Sequence, residues 1–184
     1  VGGAHSVGAI CRAGEVGLDG VLLSDGPDSA VDLAELAVQP GTALADAIGW
    51  NDIVLDIDNK SLTNRPDLWC HWGIARELAA IYGLPMREPD LAQADFPDAR
   101  LLGEIDPRIC SRFAALQIEG VAAKPSPLWM RSRLARLGQR PIEVVVDLSN
   151  YVMLDIGQPS HTYDSQKLAL PLGVRRARDG ETLS

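Results

Sequence analysis

Three apolar repeats, each closed by a glycine, constrain this chain more than anything else in its sequence. Ile74, Leu78, Ile81 and Tyr82 stand at i, i+4, i+7 and i+8, the spacing of one helix face, and Gly83 and Pro85 follow as stop signals. Asp67 precedes them as a candidate cap, so a helix is expected from Asp67 to about Tyr82. Met130, Leu134 and Leu137 repeat at i, i+4 and i+7 ahead of Gly138, with Ser126 as cap and Pro127 at the first helical position. In the third segment, Val144-Val145-Val146 favours strand by propensity. Over the whole of Ile142 to Ile156, however, Val145, Leu148, Val152 and Ile156 keep a helical period, and Gly157 and Pro159 mark an exit. Length and periodicity outweigh a short β-branched run, so a helix is expected there.

Between these segments the signals are for short strands and turns. Asp19-Gly20, Asp25-Gly26-Pro27 and Gln39-Pro40-Gly41 punctuate a run rich in Gly, Val, Leu and Ala up to about residue 50. Small β elements such as Val21-Leu22-Leu23 are expected there, too few for a closed barrel, with a helical turn over Ala43 to Ile48. Asp52 to Asp58 alternates acids with Ile53, Val54, Leu55 and Ile57, a strand pattern, and Phe113 to Val121 predicts another. Residues 86 to 106 carry Pro89, Pro97 and several acids without a period, which reads as a linker with a domain border near 95. Val174 to Arg178 predicts a strand ahead of the hairpin pair Asp179-Gly180. Too few residues follow for a return strand, and no initiator methionine opens the chain, so it is expected to have been cut from a longer one. The fold class expected is α+β: small mixed α/β segments with short β elements at the N-terminus, a fragment of a multidomain chain.

Composition narrows the function classes. With 46% hydrophobic residues there is material for a core, and the 184 residues allow one generous domain or two small ones. No run approaches the roughly 20 apolar residues of a spanning helix, and no signal peptide is visible, which points to a soluble cytoplasmic protein without a membrane partner. The three cysteines, Cys11, Cys70 and Cys110, are far apart and odd in number, so reduced and mostly buried thiols are expected rather than a disulfide framework or a zinc site. The net charge of −8 is unevenly spread. The acids crowd the first 60 residues, whereas between Glu119 and Glu143 there are none, and Lys124, Arg131, Arg133, Arg136 and Arg140 fall in that gap. Such a local basic face can meet phosphates, although arginine stems can equally cover apolar surface.

Phosphate-binding and dinucleotide-binding glycine patterns, HExxH, EF-hand loops and nucleophile-elbow serines are all absent. Of the histidines, His5 lies in a terminal Gly/Ser segment and His71 in the first turn of a helix, where packing or capping is the expected role. His161 follows the constrained turn Gly157-Gln158-Pro159-Ser160 and is the best placed for chemistry. Ser149 and Asn150 sit within an otherwise apolar helix and must either find partners or face a site. A polar site of Arg140, Asn150 and His161 is as far as the residues alone lead.

Three stretches resemble the β subunit of phenylalanyl-tRNA synthetases: Leu62-Thr63-Asn64-Arg65-Pro66-Asp67 with Gly73 to Ala80; Pro125 to Met130 leading to Gly138-Gln139-Arg140-Pro141-Ile142; and Val145 to Leu154 with Gly157 to Asp164. Together with the strand Val174 to Arg178, they run in family order from about 53 to 181. The resemblance implies three segments: 1–50 as the tail of an oligonucleotide-binding-fold insert, 51–95 as a small α+β segment, and 96–184 as the first part of a tRNA-editing module. It implies a β subunit paired with a catalytic α subunit in an (αβ)2 assembly acting on tRNA(Phe). No cofactor is implied for this fragment, and ATP and Mg2+ belong to the holoenzyme. It also implies hydrolytic editing of tyrosyl-tRNA(Phe), with Arg140, Asn150 and His161 lining the site and Ser149 where a threonine is usual. Thr162-Tyr163 departs from the usual Ala-Phe, and the family's acidic residue that reads the tyrosine hydroxyl falls beyond Ser184, so the isolated fragment is expected to be inactive. Two alternatives stand beside this reading: a noncatalytic tRNA- or protein-binding scaffold, and a free-standing editing hydrolase, against which the Asn59–Tyr82 block argues.

Overall fold

In a computed structural model, which describes residues 8–26, 28–89 and 101–182, each of the three apolar repeats forms a helix. Helix α1 is the short turn Leu44–Ala47. Helix α2, His71–Tyr82, ends as expected at Gly83, whose φ of +63° is a left-handed conformation that glycine adopts without a side-chain clash. Its start differs from expectation. Cys70 is the cap, its Sγ accepting from the Gly73 N–H at 3.2 Å, while Asp67 lies in a preceding 3-10 turn, Pro66–Leu68. Helix α3 spans Leu128–Arg136 and has no side-chain cap, so Ser126 does not perform that role. Helix α4, Val144–Ile156, is capped by the Glu143 carboxyl, which accepts from Val146 N–H at 3.0 Å, and closes at Gly157 with φ +81°.

The chain divides into two compact units, one made of the residues up to Arg87 together with Ala123–His161, the other of Glu88–Ala122 together with Thr162 onward. In the first unit Ala13, Leu18, Val21, Leu22 and Ile48 form a buried cluster, against which Leu44, Trp50, Leu128 and Ala135 pack. Leu134 (1% exposed) and Met130 (5%) anchor α3; truncating such a leucine to alanine typically costs about 2–5 kcal/mol. Helix α4 packs on both α2 and α3. The expected β elements near the N-terminus reduce to isolated bridges, Asp19 with Leu22 and Leu23 with Asp32. In the second unit, strands β1 (Leu102–Ile105) and β2 (Leu172–Val174) pair in parallel, Leu102 opposite Leu172 and Ile105 opposite Val174. The fold is α+β.

Two expected strands do not form. Asp52–Asp58 is exposed throughout and finds no ladder partner among the described residues, and Phe113–Val121 is likewise outside any strand. A strand is completed by its neighbour, which a one-dimensional pattern cannot supply. The last strand is displaced as well: pairing stops at Val174, and Arg175 instead forks onto Glu181 at 2.8 and 2.9 Å. All three thiols are free, but only Cys70 is buried; Cys11 is exposed. His5 and the border expected near 95 lie outside the described residues. Among the described residues no helix is long and apolar enough to cross a membrane.

Candidate functional site

The residues expected at a site are all carried by the first unit, on α4 and the chain on either side of it. Asn150 lies mid-helix on α4, half-buried, its side chain making no hydrogen bond among the described residues. Arg140 sits in the turn before the helix, exposed and without an ion-pair partner among the described residues. His161 is exposed in the turn after it. Ser149 joins the helix to that second turn: its hydroxyl donates to the Ser160 carbonyl at 2.9 Å and stands 3.0 Å from the Ser160 hydroxyl. A polar residue inside an apolar helix thus finds its partner in the residue next to His161. No hydrogen bond or ion pair joins Arg140 to Asn150.

The chain entering α4 is held as firmly. The Lys124 carbonyl accepts from Val144 N–H at 2.9 Å. Asp147, 1% exposed, accepts from Ile142 N–H at 2.8 Å with Oδ1 and from the Ser126 hydroxyl with Oδ2. Sequence reasoning missed Asp147, although the signal was present: an acid between Val146 and Leu148 in an apolar run must be paired to be buried.

The basic residues part company. Arg131 is 1% exposed and its guanidinium meets Glu35, leaving Nε and Nη1 buried without partners among the described residues. It is a core arginine of α3, buried on the packed face with Met130, Ser132 and Leu134. Arg136 is largely covered and pairs with Asp52, whose carboxyl is held below its ordinary range chiefly by the Ile53 N–H, against burial, with Arg136 adding to the effect. Arg133 and Lys124 are exposed. Arg133 donates to the Tyr151 hydroxyl at 2.7 Å with its guanidinium 5.9 Å from the ring centroid, and Trp129 meets the same ring edge-on at 5.3 Å.

His71, for which packing or capping was expected, opens α2 without capping it: its Nδ1 lies 2.8 Å from the Leu154 carbonyl of α4. A second polar cluster holds the turn before α2: Arg65 forks onto Asp67 at 2.9 and 2.8 Å and reaches Glu77 at 3.1 Å, while Arg76 reaches Asp67 at 3.0 Å. Hydrogen bonds from Arg65 draw the Asp67 carboxyl down to about 2. Two surface hollows in this unit, one lined by Leu36, Ile48 and Trp129 and the other by Ile53, His71 and Tyr151, both reach Arg133 and Arg136. No group of three His, Cys, Asp or Glu among the described residues could hold a metal ion.

Comparison with known proteins places these residues in context. A model of the B3/4 domain family matches residues 109–184. The chain is 40% identical over 186 residues to the phenylalanine–tRNA ligase beta subunit of Bordetella parapertussis, covering 98% of this chain and 22% of that protein. It is 45% identical over 134 residues to the protein of the same name from Solibacter usitatus, covering 71% and 17% respectively. Against that of Moorella thermoacetica it is 37% identical over 187 residues, covering 99% and 23%. The chain therefore spans about a fifth of the length of the curated relatives it matches.

Proposed function

From the premise that the chain belongs to the phenylalanine–tRNA ligase β-subunit family, we propose that it contributes the first part of a site that hydrolyses tyrosine wrongly esterified to tRNA(Phe). An activating pocket shaped for an apolar ring rejects the same ring with one added hydroxyl only weakly, so a second, hydrolytic site is needed. The observation that carries the reading is the Ser149–Ser160 contact at 2.9 Å, which fastens the His161 turn to the helix bearing Asn150. Arg140 and Asn150 hydrogen-bond the terminal ribose or the ester carbonyl, and His161 orients the attacking water. The water oxygen bonds to the carbonyl carbon, the ester C–O bond breaks, and the ribose oxygen leaves with a proton. An aminoacyl ester is already activated, so positioning suffices without a covalent nucleophile.

In this reading 1–50 is the tail of an oligonucleotide-binding-fold insert, 51–95 a small α+β segment and 96–184 the start of the editing module. The partner is a catalytic α subunit in an (αβ)2 assembly, where ATP and magnesium serve phenylalanine activation. Lys124 and Arg133, with Arg136 at the margin, are the cations that meet the phosphates of the tRNA; Arg131 is not among them. In the full-length assembly, His161→Ala is expected to slow clearance of tyrosyl-tRNA(Phe) roughly tenfold to a thousandfold while phenylalanine activation is retained. Clearance at the wild-type rate would favour the scaffold reading instead.

A further inference from the structure

Two polar side chains of α4 hold the chain on either side of the helix. Ser149 fastens the turn that leads to His161. Asp147 does the corresponding work at the other end, its Oδ1 taking the Ile142 N–H at 2.8 Å and its Oδ2 the hydroxyl of Ser126, which is itself 2% exposed. Between those two anchored points run α3 and the Gly138–Pro141 turn. Arg140 therefore lies two residues from a backbone N–H gripped by a buried carboxyl. Its own side chain has no partner among the described residues, so the backbone alone decides where it stands. A buried carboxyl is costly to desolvate, and an apolar residue of like volume would fill the space without that cost. An acid is required only if Ile142 N–H and Ser126 must be held in place. We infer that Asp147 is a positioning residue for the ester-hydrolysing site, setting Arg140 relative to Asn150 through the Ile142 backbone without itself touching substrate.

The inference rests on the editing reading, and its test separates the two. Single-turnover clearance of tyrosyl-tRNA(Phe) by the full-length assembly is measured for Asp147→Ala, Asp147→Asn, Arg140→Ala, the Asp147→Ala/Arg140→Ala pair, and His161→Ala. Asp147→Ala should slow clearance about tenfold to a hundredfold, the scale of a misplaced positioning group. Asp147→Asn keeps an acceptor for Ile142 and can donate to Ser126, so it should recover most of that loss. On the Arg140→Ala background, removing Asp147 should add little, because the group it places is gone. Full additivity on that background, or wild-type clearance by Asp147→Ala, overturns the inference. Where Asp147→Ala does not fold, Asp147→Glu, which shifts the carboxyl by one methylene, takes its place on both backgrounds and the same comparison decides. If His161→Ala clears normally, the editing reading falls and takes the inference with it. If His161→Ala is slow while the Asp147 effects are additive, only the positioning role falls.

Discussion

Replacing Gly73 with alanine puts a methyl group where the backbone already is. A Cβ at that position lies 1.6 Å from the Asp67 carbonyl oxygen, 2.8 Å from the Asp67 carbonyl carbon and 3.2 Å from Cys70 Sγ. Nonbonded carbon atoms rest about 3.5–4 Å apart, so the Asp67 peptide must withdraw by roughly 1.5 Å. That motion displaces the Pro66–Leu68 turn, whose Leu68 is buried, and the Cys70 cap on the Gly73 N–H. Overpacking of this kind costs about 3 kcal/mol at its upper end and a lost cap about 1, while glycine-to-alanine in a helix returns about 1. The net expectation is destabilisation by about 3 kcal/mol. Equilibrium urea unfolding followed by tryptophan fluorescence measures it, since Trp69 and Trp72 directly follow the turn. Gly83→Ala at the other end of α2 is the control: open space surrounds it, and only its φ of +63° opposes the change, at about 1 kcal/mol. If Gly73→Ala is as stable as wild type, or gains the alanine propensity, the helix start is not packed on the Asp67 carbonyl and the reasoning fails.

Asp67 makes a prediction in pH. Its carboxyl is held at about 2 against an ordinary 3.8, so the unfolded chain binds the proton more readily, and the stability it supplies is present above 3.8 and lost as pH falls toward 2. The stability gap between wild type and Asp67→Asn should therefore close across that window in acid titrations of thermal unfolding, and a gap independent of pH would refute the pairing. Glu35→Ala should cost roughly 3 kcal/mol by stranding the buried Arg131 charge, whereas Arg131→Met, which removes both charge and unpaired donors, should be nearer neutral in the same denaturation assay. In salt titrations of tRNA binding by the full assembly, Arg133→Ala should lower the log–log slope by about 0.7–0.9 and Arg131→Met should leave it unchanged; a change with Arg131→Met would mean that this side chain reaches phosphate after all.

What could be read without a structure was what a few neighbouring residues decide among themselves. The apolar period of Ile74 to Tyr82 and of Val145 to Ile156, with Gly83 and Gly157 to leave in the left-handed conformation, is settled within a few turns, and both helices end where those glycines stand. The Ala43–Ile48 turn was legible for the same reason. The candidate polar site could be read only as residue types: Ser149 and Asn150 stand out in an apolar helix, and His161 stands out after a proline turn. Ser149 meeting Ser160 gives one of those residues its physical reason.

The rest depended on partners distant in the chain. Asp52–Asp58 has a strand's alternation but no neighbour to complete a ladder among the described residues, while β1, which no pattern signalled, pairs with a segment some 70 positions along. Ser126 has the chemistry of a helix cap, yet the buried Asp147 carboxyl claims its hydroxyl. Arg131, Arg133 and Arg136 are the same side chain at adjacent places on one helix. Glu35, Tyr151 and Asp52, brought in from elsewhere in the chain, give them three different fates. Helical period and caps are local interactions and are written where they act; burial and pairing are properties of whichever surfaces the folded chain brings together, and they exist only once it has done so.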